Sequence, residues 1–356
     1  MIEKNYINLE QEYLRYMRFT KSQAELIKKA SEKLTLLGGP DAEGVAKYAE
    51  EYGQQLKATL TDEQLKILED YSTGKAVAIM FKGLKELIND ATMPDFLPSP
   101  LELSKCKYVI ELASRNQILL TLIDNKAFAY DIDNNGKLIR VVANFQGGGK
   151  NKIQQEKDSQ VISLSSHAGV ALGAHTEAPY HATKSSVGSH SPAPSTLILT
   201  ARWNPQNETT SVIPLPALME KIDSRAILGL TLKEFGFTRT DSFVEGKGEG
   251  VNNSSIIDLD KDGMVRIRFN IYRTYYEQTA PEIAREGFVS LVRAINTTMP
   301  IKVNLQPTTA IAINNSAALH GRDIIMDNRR LLIRLFGYEK GVEPIKIATD
   351  PMIVQG

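Results

Sequence analysis

The stretch Arg330-Leu331-Leu332-Ile333-Arg334-Leu335-Phe336 decides how the chain is read. With the period of a strand, Arg330, Leu332, Arg334 and Phe336 share one face and Leu331, Ile333 and Leu335 the other. Both faces are apolar enough for a core strand, yet one carries guanidinium groups. A guanidinium in a β-core is costly unless an anion meets it, so Arg334 needs either a ligand carboxylate held bidentately or an acidic side chain of the protein.

Working outward, similar short runs fill the chain after Pro100: 118–125 (ILLTLIDN), 137–145 (KLIRVVANF), 160–166 (QVISLSS), 195–203 (STLILTARW), 264–272 (MVRIRFNIY), 309–315 (TAIAINN) and 331–338 (LLIRLFGY). These β-like runs, with one clear helix near 281–299, predict an α+β fold: a β-sandwich or barrel with helices outside it. Residues 8–89 read as helices instead, because Ile27, Ala30, Leu34 and Leu37 recur at helical spacing and Thr61-Asp62-Glu63-Gln64 is a capping box. Within them 74–84 (GKAVAIMFKGL) is apolar, glycine-flanked and short, and reads as the first core strand. The proline-rich stretch 93–100 (MPDFLPSP) breaks any helix. The expected organisation is a helical N-terminal extension, 1–95, packed on a core domain, 96–356, as a single structural unit.

Two aspartate-rich stretches, 131–136 (DIDNNG) and 258–263 (DLDKDG), resemble calcium loops. An EF-hand needs a bidentate glutamate at its twelfth position, where these have Val142 and Phe269. Asn-Gly and Asp-Gly supply positive φ, so both read as hairpin turns.

Forty-two basic residues balance 42 acidic ones, so no overall field draws the chain to nucleic acid or an anionic membrane, and a small molecule is the expected partner. The single cysteine, Cys106, excludes a disulfide framework and a cysteine-rich metal site, so any metal must use histidine and carboxylate. The opening segment lacks an apolar signal core and no uninterrupted apolar stretch of about 18 residues occurs, which reads as a soluble cytoplasmic protein.

Among only five histidines, His175 stands two residues before Glu177 in GAHTEAP, 173–179. On a strand the two project from one face about 6 to 7 Å apart, so their side chains can converge on one ion. His320, at the end of TTAIAINNSAALH and before another strand, has the best context for a third ligand. Two histidines and one carboxylate, with three positions open, form the facial triad of non-heme Fe(II) oxygenases. The bland alternative is a solvated strand surface.

His175-Thr176-Glu177, the distal His320 and Arg334 fourteen residues beyond it resemble the clavaminate synthase-like group of Fe(II)/2-oxoglutarate oxygenases, within the taurine-dioxygenase superfamily. The resemblance runs from about Gly74 to the C-terminus. It implies a double-stranded β-helix, or jelly roll, with flanking helices and iron at one mouth. His175, Glu177 and His320 would bind Fe(II), and 2-oxoglutarate would chelate the metal and place its far carboxylate on Arg334. A hydroxyl from a neighbouring strand would assist Arg334, with Thr200 preferred and Thr196 as alternate; both can equally be plain β-formers. The implied reaction consumes O2, converts 2-oxoglutarate to succinate and carbon dioxide, and oxidises an unactivated C–H bond, by hydroxylation or by desaturation or ring closure.

Two stretches flank the metal strand, 146–150 (QGGGK) and 178–194 (APYHATKSSVGSHSPAP), and their composition suits a lid or two ordinary surface loops. His181 and His190 in the second read as solvated; His167 shares the face of His175 only if Gly169 and Gly173 leave the strand unbroken. Amino-acid hydroxylases of the group often carry a second arginine eighteen residues after the distal histidine, where this chain has Tyr338. Arginine-acting relatives place acidic residues around the strand matching 268–272, where this chain has neutral Asn270 and Tyr272. Free arginine is therefore disfavoured. An α-amino acid requires Arg322 or Arg330 to take its carboxylate; a modified, cyclic or peptide-linked substrate is the other option. Gln146, Ser165, Asn270 and Tyr272 are the expected pocket, and the second oxygen of Glu177 would accept from a substrate amine. Two other classes share the architecture: a cupin-like isomerase, lyase or hydrolase, and a non-catalytic binding protein.

Overall fold

The computed structural model describes residues 8–87, 92–145, 169–239, 248, 250–260 and 263–356. Gln146, Ser165, His167 and the run 160–166 lie outside them.

The described chain is a mixed α/β structure built around two sheets that face each other. The larger has the strand order Leu14–Arg18, Ala78–Lys82, Ala310–Asn314, Thr196–Trp203, Leu331–Glu339, Asn125–Tyr130, Met352–Val354 and Lys346–Thr349, with Arg140–Val142 also paired to Leu331–Glu339. The smaller has the order Ile301–Asn304, Thr209–Pro214, Ala318–Arg322 and Leu172–His175. From Leu172 onward the chain crosses between them: smaller, larger and smaller sheet through Pro214, then smaller, larger, smaller and larger from Ile301 to Glu339. Strand alternation divides the side chains of Leu331–Glu339 as the sequence period predicts. Leu332 and Phe336 join Leu197, Leu199, Val212 and Ile313 between the sheets, and Ile333 and Leu335 join Ile198 beneath the helices.

The helix Lys107–Leu122 covers the outer face of the larger sheet, and Lys21–Leu36 and Val45–Lys57 pack over it. Ile27, Ala30 and Leu34 are fully buried there, and Thr61 caps Asp62–Ser72 with the expected box. Helices Ser224–Leu230 and Glu282–Thr297 cover the smaller sheet through Phe269, Leu291 and Leu319.

Several expectations change. Ile118 to Leu122 of the run 118–125 end the helix Lys107–Leu122 and are not a strand; sandwiched between helices and sheet, that helix is buried nearly all round, Glu111, Arg115, Asn116 and Gln117 included, and so shows no polar stripe facing solvent. Helices beyond the one near 281–299 also follow Pro100. The strand 78–82 forms as expected, but Leu14–Arg18, read as helix, pairs parallel to it at the sheet edge. Residues 131–136 do not turn a hairpin, because Asn125–Tyr130 and Arg140–Val142 both pair antiparallel with the same strand, Leu331–Glu339. The segment between them is an excursion from one sheet position. The stretch around 258–263 does join a hairpin, Ile257–Leu259 to Val265–Ile267.

Candidate metal centre

Leu172–His175 and Ala318–Arg322 pair antiparallel with His175 opposite His320, so the two imidazoles project from one face of the smaller sheet with ring centres 4.2 Å apart. Glu177 follows His175 by two residues, and one ligand atom from each of His175, Glu177 and His320 lies within 4.8 Å of the others. The sequence expectation for these three is therefore met in geometry. His175 Nδ1 lies 2.8 Å from Gly173 O. Donation to that carbonyl fixes the tautomer and leaves the Nε2 lone pair for a metal. His320 turns Nε2 toward Glu177 Oε1 at 3.6 Å.

The electrostatics prepare the donors. Burial, then the neighbouring His320, push the His175 imidazolium down to about 3, so the ring is neutral at physiological pH. Burial opposes ionisation of Glu177, but the charge of Arg334 and the bond with His320 overcome it and hold the carboxyl well below the usual range. Arg334 itself crosses from the larger sheet. Its Nη1 donates to Glu177 Oε1 at 2.6 Å, and its guanidinium lies 4.0 Å over the Phe336 ring. Of the two alternatives for Arg334, the structure has the acidic side chain of the protein, and that partner is Glu177 of the His-Glu-His cluster.

Two residues missed in the sequence build the rest of the wall. Asn315, 2% exposed, accepts from Glu177 N at 2.7 Å and donates to Glu177 O and to Pro194 O at 3.0 Å each. This clamp fixes the backbone that carries the ligand. Arg140 is the strand partner of Arg334 and pairs with Asp133, delivered by the excursion. Arg140, Asp133, Arg334, Tyr130 and Phe336 line a small void of about 10 Å³, room for about one water. A cation inside the apolar run 137–145 was the legible signal for Arg140.

Other expected site residues go elsewhere. Thr200 pairs with Ile333 and Thr196 with Gly337, so both point to the helix side of the sheet, away from Arg334. Thr200 accepts from Arg115 Nη2 at 2.8 Å and donates to Thr309 O; Thr196 shares a hydrogen bond with the Tyr71 hydroxyl. Arg322 donates to Val170 O at 2.6 Å, and Arg330 Nε lies 3.2 Å from Glu208 Oε2, so the protein itself engages both. Asn270 is bridged to His175 through the backbone, but its Oδ1 is taken by Tyr272 N. The half-exposed Tyr272 ring lies over Gly173, where an added Cβ would stand 2.5 Å from Ile271 and 3.0 Å from the ring.

The segment 178–194 is not a loose lid. The Tyr130 and Tyr338 hydroxyls both donate to Pro192 O, and Ser191 N donates to Gln355 O. His181 within it is buried against Tyr130 rather than solvated, whereas His190 is exposed. Tyr338 stacks on Phe128 at 3.7 Å and is part of the core.

This fold, with a His-Glu-His cluster at the edge of its smaller sheet, is that of solved non-heme iron oxygenases. Asparagine oxygenase has a TM-score of 0.70 and 18% identity, over 96% of this chain and 98% of that one. Its complex with Fe(II), 2S,3S-3-hydroxyasparagine and succinate has a TM-score of 0.69 and 19% identity, over 90% and 92%. The non-heme iron oxygenase OrfP in complex with Fe and L-arginine has 0.66 and 16%, over 96% and 99%. These neighbours are Fe/2-oxoglutarate-dependent oxygenases of the clavaminate synthase-like family, the group the sequence resembles. No family model and no curated protein matches the chain. Among the described residues, no helix is long and apolar enough to cross a membrane.

Proposed function

We propose that the chain is an Fe(II)- and 2-oxoglutarate-dependent oxygenase that oxidises an aliphatic carbon of a small amino-acid-like molecule. The observation that carries this reading is the convergence of His175, Glu177 and His320 with Arg334 donating to Glu177 from the opposite sheet. The donor set fits a divalent metal: two imidazoles and one ionised carboxylate, with His175 already oriented by Gly173 O. Bound iron would supply the activation of O2 and the oxidative decarboxylation of 2-oxoglutarate.

The residues of the chain do the rest. His175 Nε2, His320 and Glu177 would hold the metal. Arg334, released from Glu177, presents its planar fork to the far carboxylate of the co-substrate. Asn315 keeps the Glu177 backbone in place, so that the Glu177 carboxylate, which accepts from Arg334, is anchored where it would serve the metal. The phenols of Tyr130 and Tyr180, pushed well up by burial, stay neutral. No side chain need act as general base.

The crossing of the chain between two facing sheets supports a double-stranded β-helix. We also read the chain as one structural unit in which 1–95 pack on 96–356, because Leu14–Arg18 and Ala78–Lys82 complete the larger sheet. The relation to asparagine oxygenase and to OrfP bound to L-arginine supports an amino-acid substrate.

Anaerobic addition of Fe(II) and 2-oxoglutarate tests the reading. A weak visible charge-transfer band is expected, lost in His175→Ala, and a substrate screen scored by succinate release then finds the turnover. A wild-type protein that binds iron yet develops no band with 2-oxoglutarate overturns it.

A further inference from the structure

A second concave site stands apart from the metal centre. It is a cleft of about 750 Å³ between the helix Val45–Lys57, the helix Lys107–Leu122 and the C-terminal hairpin of Lys346–Thr349 with Met352–Val354. None of its lining residues belongs to the His-Glu-His cluster or to the void beside Arg334. Each helix turns one face to it: Ala46, Glu50 and Gln54 from the first, Gln117 and Thr121 from the second. The floor is polar and unsatisfied. Gln117, 3% exposed, makes no side-chain hydrogen bond among the described residues. Asn125, 4% exposed, donates through Nδ2 to Ile123 O, while its Oδ1 accepts from none of the described residues. Buried amides are nearly always hydrogen-bonded, so two such groups at the bottom of one cleft call for a ligand or solvent partner. Charge at the rim is one-sided. Asp124 pairs with Lys57 at 2.6 Å and Glu339 with Lys184 at 3.3 Å, both partners outside the cleft. Lys126, Lys340 and Lys346 are exposed and pair with no carboxylate among the described residues, and Lys47 stands over the Tyr48 ring. Against these four cations stand Glu50 and Asp350, which leaves an excess of two positive charges.

We propose that this cleft binds a hydroxyl-bearing phosphate monoester of sugar-phosphate size, its dianion among the lysines and its hydroxyls against Gln117 and Asn125. The inference goes beyond the oxygenase reading and does not depend on it. A phosphate monoester carries nearly two negative charges at neutral pH, which matches the excess at the rim. Lysines are point charges on flexible stems and suit a tetrahedral dianion. A carboxylate held in a fixed plane calls for an arginine, and none is among the described lining residues. A hydroxyl both donates and accepts, so it answers the Asn125 oxygen and either end of the Gln117 amide. The volume is far more than a bare phosphate ion fills and lies in the range of small-molecule sites. Tyr338, the one aromatic residue in the described lining, is stacked on Phe128, so no ring is free to hold a nucleobase. A sugar-like ester therefore fits better than a nucleotide.

The test titrates the full chain calorimetrically, at physiological ionic strength so that loose surface attraction is screened. The probes are glucose 6-phosphate, ribose 5-phosphate and glycerol 3-phosphate, with glucose, inorganic phosphate and L-malate as comparisons. At least one ester should bind, with glucose, inorganic phosphate and L-malate each about tenfold weaker or more. Replacing both Lys340→Gln and Lys346→Gln, at two exposed positions where the fold is not at stake, should weaken the ester by about tenfold or more. Gln117→Leu, which exchanges the unpartnered amide for an apolar group of similar size, should bring the ester down to the affinity of inorganic phosphate. If the leucine variant does not fold, the lysine replacements decide alone. The site is overturned if no ester binds, if inorganic phosphate or L-malate binds as tightly as the best ester, or if a folded variant of either kind binds it like wild type. The oxygenase reading survives each of those results, because succinate release and the charge-transfer band test it separately.

Discussion

Replacing Asn315 by alanine removes one buried amide that makes three hydrogen bonds, two to the backbone of Glu177 and one to Pro194 O. At roughly 1 kcal/mol for each bond, the loss of folding stability should be about 3 kcal/mol, and more if water cannot reach the orphaned groups. Function should suffer separately. Without the clamp the Glu177 backbone must be ordered when the metal binds, which costs about 1 to 2 kcal/mol and so roughly 5- to 30-fold in Fe(II) affinity. Asn315→Asp makes a sharper comparison. It can still accept from Glu177 N, but its carboxylate faces the carbonyls of Glu177 and Pro194 with nothing to donate at neutral pH. It should be destabilised at least as much as the alanine variant. Urea unfolding of the metal-free protein measures the first effect, and anaerobic Fe(II) titration the second. If Asn315→Ala unfolds within about 0.5 kcal/mol of wild type and binds Fe(II) equally well, the clamp does not position Glu177.

Arg334→Lys keeps the charge but loses the fork, so 2-oxoglutarate affinity should fall while the metal-free fold survives; equal affinity by titration of the charge-transfer band would refute the role. Gly173→Ala places a Cβ 2.5 Å from Ile271 and 3.0 Å from the Tyr272 ring, so the 269–272 segment must shift, at a cost of about 1 to 3 kcal/mol, measurable as a lowered unfolding midpoint. The metal-free protein should lose stability in acid. His175 and His181 are both held at about 3 by burial, against about 6.5 when unfolded, so the unfolded chain takes up protons the folded one refuses. Their contribution is complete above pH 6.5 and is lost as pH falls toward 3, by roughly 1.4 kcal/mol per pH unit for each group. His181→Phe should flatten that slope in urea melts, and an unchanged slope would show that His181 does not contribute.

What the sequence determined by itself was local. Alternation along 330–336 assigned Leu332 and Phe336 to one side and Ile333 and Leu335 to the other, because strand period two is a property of adjacent residues. The same period suggested that His175 and Glu177 share a face, but the strand ends at His175 and Glu177 lies in a bend beyond it, so their convergence is set by the fold; spacing with composition singled out His320 and Arg334. What needed the tertiary structure was relative placement. Thr200 lies on the wrong side of its sheet for Arg334 because register pairs it with Ile333; a one-residue difference in pairing reverses every side chain, and no local signal sets it. Residues 118–122 end a helix that layers cover on both sides, so no exposed polar stripe marked it as one. Asn315 reaches Glu177 across 138 residues, and Asp133 reaches Arg334 from an excursion that looks like a turn. Such contacts depend on where separate strands meet. A residue's neighbours along the chain encode its secondary structure and its face, whereas its partners across the fold are chosen by packing.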